Sequence, residues 1–158
     1  MRRLKAIPVF AALVLIVGLA GCGFTPVYGT GSTVGQALSD IQLEAPNTRE
    51  EYLFVRNMEQ RLTRNPAAQT TLKYSISFSE KGLDLIGVSR SQLLGSVSYR
   101  LISQADGQVV ASGSVESFTS FSPRDDFPLV AIRDARERLF QILADRVISD
   151  LTAKLAMN

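Results

Sequence analysis

The feature that most limits how this chain can fold is its one cysteine, Cys22, placed directly behind an apolar run near the N-terminus. Arg2, Arg3 and Lys5 make a positive start, residues 9–20 are apolar and broken only by Gly18, and the small residues Ala20 and Gly21 precede the cysteine. That is the layout of a secretory signal. The run is shorter than the roughly 20 residues that a spanning helix needs, and turn-forming residues follow it closely. Leu19-Ala20-Gly21-Cys22 matches a lipobox, in which small residues fit the peptidase ahead of a cysteine whose thiol takes a diacylglycerol. Residues 1–21 are therefore expected to be a removed signal peptide. Cys22 is expected to carry S-diacylglycerol and an N-acyl chain, palmitate among its acyl groups, leaving residues 22–158 to fold. Acyl chains contribute roughly 0.8 kcal/mol per buried CH₂, and multiple chains hold a domain stably at a membrane surface. Gly23 stands where an aspartate would favour inner-membrane retention, so the outer membrane, with the domain on the periplasmic side, is the expected location.

An acylated Cys22 leaves no free thiol, and the chain has no histidine. A disulfide framework, a Cys/His zinc site and a histidine general base are thereby excluded, and no metal, cofactor or enzymatic activity is expected. Loss of Arg2, Arg3 and Lys5 with the signal takes the formal charge from +2 to −1, so the high calculated pI belongs to the precursor. A broadly basic nucleic-acid surface does not follow from that charge, and any anion site must be local. The mature length suits one domain with one core.

Residues 22–36 are rich in glycine, serine and threonine, with Phe24, Val27 and Tyr28 as the substantial apolar groups, and are expected to form a flexible tether. The stretch from Gly29 to Gly35 lacks both the preceding strand and the following lysine of a phosphate-binding loop. The domain proper, residues 37–158, begins with an alternating segment at 37–45 that predicts a short strand with Ile41 and Leu43 inward, closed by Pro46-Asn47. Thr48 with Glu51 makes a capping box, and Leu53, Val55, Met58 and Leu62 form a helical stripe over residues 49–64, ended by Asn65-Pro66. Leu72, Tyr74, Ile76 and Phe78 alternate with polar residues and predict a strand. Residues 94–102, the Ala105-Asp106-Gly107 turn, and Val109, Ala111, Gly113 and Val115 predict a hairpin. Between them, residues 80–92 fit either an extended hairpin or an exposed, partly apolar loop. Ile132, Ala135, Leu139, Leu143, Val147, Leu151 and Leu155 recur at three or four, giving a long helix over residues 126–156. Its polar face offers two pairs at i, i+4, Asp134 with Arg138 and Asp150 with Lys154. Two helices with one apolar stripe each cover one face of a sheet. The expected fold is a two-layer α/β (α+β) sandwich, an approximately four-stranded mixed sheet with two helices on one face and the other face free.

Residues able to do chemistry are few. The adjacent acids Glu50-Glu51 and Asp125-Asp126 sit at helix starts, where they complement the helix dipole. Ser89, in Gly87-Val88-Ser89-Arg90-Ser91, lacks the second glycine of a nucleophile elbow and any histidine to activate it. Lys73, Lys81, Arg90 and Arg100 lie on or beside the sheet and suit the phosphates of an amphipathic lipid. Lys81 and Arg90 stand out because they flank the apolar residues 83–88, placing charge beside grease.

The segment Leu19-Ala20-Gly21-Cys22-Gly23-Phe24-Thr25-Pro26-Val27-Tyr28-Gly29 resembles the N-terminus of the lipopolysaccharide-assembly lipoproteins, the LptE family, in its α-proteobacterial form. The resemblance continues through Val97-Ser98-Tyr99-Arg100-Leu101, the Asp106-Gly107 turn, and the terminal segments Ala135-Arg136-Glu137-Arg138-Leu139 and Ala144-Asp145-Arg146-Val147. It implies a non-enzymatic outer-membrane lipoprotein that plugs and helps assemble the LptD β-barrel and assists lipopolysaccharide transport; Lys81 and Arg90, chosen for their place beside the apolar residues 83–88, are then the expected lipopolysaccharide contacts. An accessory lipoprotein of a phospholipid-transport or efflux complex is the competing expectation. Cells fed a clickable palmitate are expected to label the wild-type chain and to leave a Cys22→Ser chain unlabelled; label retained by the variant would refute the lipobox reading.

Overall fold

The computed structural model describes residues 33–85, 88–122 and 128–157. The signal, the lipobox, Cys22 and the tether up to residue 32 lie outside the described residues, as does Asp125-Asp126. The alternating segments become a four-stranded sheet in the order β1-β2-β3-β4. Strand β1 (Ile41–Leu43) runs parallel to the start of β2 (Thr70–Leu85), and β2, β3 (Val88–Ser103) and β4 (Val109–Phe121) form an antiparallel meander. Three helices, α1 (Thr33–Ser39), α2 (Arg49–Glu59) and α3 (Pro128–Met157), share one core with the inward face of the sheet. The α+β sandwich with a mixed four-stranded sheet is therefore the fold.

The core follows the stripes. Leu72, Leu93, Val97, Tyr99 and Leu101 point inward from the strands and are buried. Ala135, Leu139, Leu143, Val147 and Leu151 meet them from α3, each fully buried. A second buried row on α3, Phe140, Ala144 and Ile148, is present because this helix packs on α2 as well as on the sheet. Gly95 on β3 lets the helix come close. A Cβ there would lie 2.9 Å from Leu143 Cδ1 and 3.1 Å from Leu139 Cδ2.

Two local expectations are corrected. Residues 33–39 form a helix, where the tether and then a strand were expected, because Val34 and Leu38 stand four apart and both turn into the core. Consequently β1 is only three residues long. Helix α2 begins at the expected cap, with the Glu51 amide donating to Thr48 Oγ1 at 3.2 Å and the Asn47 amide to Glu51 Oε2 at 2.7 Å. It ends at Glu59, before the expected Arg64, and a turn on the Met58 carbonyl carries Leu62 into the core before Asn65-Pro66 returns the chain to the sheet. Of the two alternatives for residues 80–92, the described residues 80–85 and 88–92 take the extended hairpin. They lengthen the β2–β3 hairpin past Phe121, the last residue of β4, whose register partner is Ser91. Helix α3 is described from Pro128 to Met157, and its expected start at Asp126 lies outside the described residues.

The far end of α3 is clasped to the sheet. Tyr99 Oη donates to Asp150 Oδ2 at 2.6 Å, and Lys154 Nζ donates to the same oxygen at 2.8 Å and to the Ser112 carbonyl at 2.6 Å. The side chains sit over Gly113, where a Cβ would meet the Tyr99 hydroxyl at 2.8 Å and collide with Asp150 and Lys154. The other anticipated pair, Asp134 with Arg138, forms no ion pair although both residues are described. Hydrogen bonds from Lys154 and Tyr99 hold the Asp150 carboxyl below its ordinary range, while burial and the bond to Asp150 push the Tyr99 phenol upward. A depressed carboxyl stabilises the fold above its unfolded pKa of about 4 and loses that contribution as pH falls through the lower folded value. Asp150→Asn is therefore expected to cost about 1–2 kcal/mol at neutral pH. Urea titrations should show that deficit shrinking below about pH 4.

Candidate functional site: the open face of the sheet

Alternation sends every second side chain of β2, β3 and β4 away from the helices, and the register lines these residues into rows. Lys73, Arg100 and Ser112 form the first row, Ser75, Ser98 and Ser114 the second, and Ser77, Ser96 and Glu116 the third. Ser79, Leu94 and Phe118 follow, then Lys81, Gln92 and Ser120, and beyond the end of β4, Leu83 beside Arg90. No described element covers this face, and its hydroxyls bond to one another: Ser77 Oγ to Ser96 Oγ at 2.9 Å and Ser98 Oγ to Ser114 Oγ at 3.1 Å.

The basic residues gather at the two ends of this hydroxyl field. Lys73 and Arg100 are direct register partners, like charges opposed on neighbouring strands, and line a shallow groove of about 540 Å³ with Ser75, Ser98 and Ser112. Lys81 and Arg90 are diagonal neighbours at the other end, both exposed, with Leu83 between them on the same face. The eight residues separating Lys73 from Lys81 along β2 span roughly 26 Å. None of the four cations makes a hydrogen bond or ion pair among the described residues. Between the ends, Leu94 and Phe118 stand side by side, Phe118 61% exposed, in a second groove of about 600 Å³ toward the edge of β4.

The four cations expected beside the sheet thus share one face, resolved into two separate pairs. The apolar patch of Leu94 and Phe118 was not anticipated. Its signal lay in two outward positions of otherwise polar strands, legible only once the β3–β4 register is known. The face can hold an anionic amphiphile, with phosphates at the cations and an alkyl segment along Phe118 and Leu94. The chain offers no histidine to activate the hydroxyls.

Comparison with known proteins bears on the fold. A Caulobacter crescentus protein described as a lipoprotein superposes with a TM-score of 0.69 at 25% identity, covering 80% of this chain and 97% of its own. A minor lipoprotein from Acinetobacter baumannii gives 0.54 at 12% identity, covering 72% of this chain and 88% of its own. Rare lipoprotein B from Shewanella oneidensis gives 0.51 at 12% identity, covering 74% of this chain and 95% of its own. The sequence matches no family model and none of the curated proteins. The chain has the fold of solved bacterial lipoproteins, over nearly the whole length of each.

Like charges opposed across strands cost stability. Arg100→Glu, which places an acid opposite Lys73, is therefore expected to raise stability by about 0.5 kcal/mol in dilute buffer. In chemical denaturation the gain should fade at about 1 M salt. Such a result would mark the cation pair as something kept at the expense of stability.

Proposed function

We propose that this chain is a non-enzymatic, lipid-anchored protein on the periplasmic side of the outer membrane, which plugs and helps assemble an LptD-type β-barrel and assists lipopolysaccharide transport. The observation that carries the reading is the uncovered, hydroxyl-rich face of β2, β3 and β4. A large transmembrane barrel has a polar interior, and a wide one stays open unless something fills it. A rigid two-layer domain with a serine face and no long apolar face outward suits such a lumen. The lipobox supports anchoring beside the barrel, and the shared fold of solved lipoproteins supports the general class. Lys81 and Arg90, together on the hairpin end with Leu83, are proposed to meet the phosphates and acyl portion of lipopolysaccharide.

Purification of the full-length chain from its native membrane in mild detergent is expected to bring down a large heat-modifiable barrel. Recovery of an inner-membrane transport complex in its place would favour the accessory-lipoprotein alternative and sink this reading. In a lipopolysaccharide pull-down, Lys81→Asp with Arg90→Asp is expected to reduce capture at least tenfold. Unchanged capture would remove these two residues from the site while leaving the barrel partnership to the purification.

A further inference from the structure

The two edges of the sheet are finished differently. Along β4, α3 reaches over the rim: Lys154 Nζ takes the Ser112 carbonyl at 2.6 Å and Arg146 Nη1 takes the Glu116 carbonyl at 2.7 Å. Backbone groups of alternate residues point to the same side of a strand, so two cations eight apart on α3 cap carbonyls four apart on the free edge of β4. Along β2, cover stops early. The Thr70 amide donates to the Asp40 carbonyl at 3.3 Å, and the Leu72 carbonyl accepts from the Glu44 amide at 3.1 Å. Beyond them only the Tyr74 hydroxyl reaches back, to the Glu44 carbonyl at 3.2 Å. The β2–β3 ladder is unbroken, so the even-numbered residues Tyr74, Ile76, Phe78, Glu80 and Gly82 present their amides and carbonyls outward, with no partner among the described residues. This open stretch is roughly 26 Å long.

We infer that the β2 edge over residues 74–82 is a docking site for an extended, acidic segment of another protein, which adds to the sheet as a fifth strand. A vacant ladder supplies the affinity of strand addition, and the side chains beside it choose the partner. Lys73 and Lys81 flank the stretch on the open face. On the helix side, Arg136 lies 5.4 Å over the Phe78 ring, with its Nε buried and unpartnered and its nearest acid, Glu50, at 3.9 Å. Phe78 itself is 37% exposed there, beside the partly buried Ile76. A strand with alternate apolar residues would cover these two, and acids on its other face would run beside the lysines. Glu80 is the one acid within the stretch itself, and Glu44 lies at the β1 end.

Edge lysines ordinarily guard against unwanted pairing, and here they select among partners. A two-fold copy paired over the whole of residues 73–81 would set Lys73 of one chain opposite Lys81 of the other at both ends, so a second copy is disfavoured. An acidic strand meets no such barrier. The inference stands apart from the barrel partnership and does not need it.

The test uses the full-length lipidated protein in dodecyl maltoside and a fluorescein-labelled peptide, acetyl-Thr-Val-Glu-Val-Glu-Val-Thr-amide, followed by anisotropy. The expected result is saturable binding that weakens at least tenfold when the peptide amides are N-methylated, and at least tenfold when its glutamates become lysines. Glu80→Pro removes one outward amide while leaving the β3 ladder intact, since proline is tolerated on an edge. The variant also removes an acid, so electrostatics alone would strengthen binding; a tenfold loss in a variant with unchanged circular dichroism therefore identifies the backbone donor. No binding of the parent peptide, equal binding of its N-methylated form, or a dimer in sedimentation that Glu80→Pro dissolves would each overturn the inference. Should Glu80→Pro fail to fold, the N-methylated peptide decides alone.

Discussion

The seating of α3 on the inward face of β3 is the contact on which the other elements depend. It requires a long helix with large apolar residues every four positions and a strand that yields space where the two come nearest. Leu139 and Leu143 supply the first and Gly95 the second. Complete burial of a leucine contributes about 1.5–3 kcal/mol, so the row from Ala135 to Leu151 outweighs any polar contact in the molecule. Once α3 is seated, α2 has a surface for Phe54 and Met58, α1 has one for Val34 and Leu38, and β1 is held beside β2.

Polar interactions then fix the angle and register of this packing more than its strength. The Tyr99, Asp150 and Lys154 clasp prevents α3 from sliding along β4, and Arg61 with Asp145 ties the turn after α2 to the middle of α3. Both lie at the rim of the core, where partial exposure weakens an ion pair. Concentrating the polar ties on the helix side leaves the opposite face of the sheet free for contacts outside the chain.

The elements whose sequence pattern reflects one buried face were legible. Leu72 to Phe78, Val97 to Leu101 and the α3 stripe each alternate or recur because half of each element is dry, and the capping box at Thr48 announced α2. The elements with no such face were not. Residues 80–92 run past the end of β4, with Lys81, Gly82 and Arg90 exposed, so the period-two signal weakens. Residues 33–39 form too short a helix for a period to declare itself, and only the interval between Val34 and Leu38 carried it. For the site, the cations were visible as residue types, but their grouping into Lys73 with Arg100 and Lys81 with Arg90 is a property of strand register. Register could not be obtained while the length of the β2–β3 connection was open.

Strand β1 has a mechanical meaning. It is three residues long and pairs in parallel with the start of β2, and every residue on the N-terminal side of the domain, Cys22 included, is joined to the sheet through α1 and this strand. A pull from that direction loads β1 before it reaches the meander, whose antiparallel ladders are many times longer. α1 and then the short strand give way before the meander does, lengthening the leash by the unravelled residues. Departure of β1 would bare Thr70 and Leu72 as well, extending the vacant ladder of β2 down to its first residue.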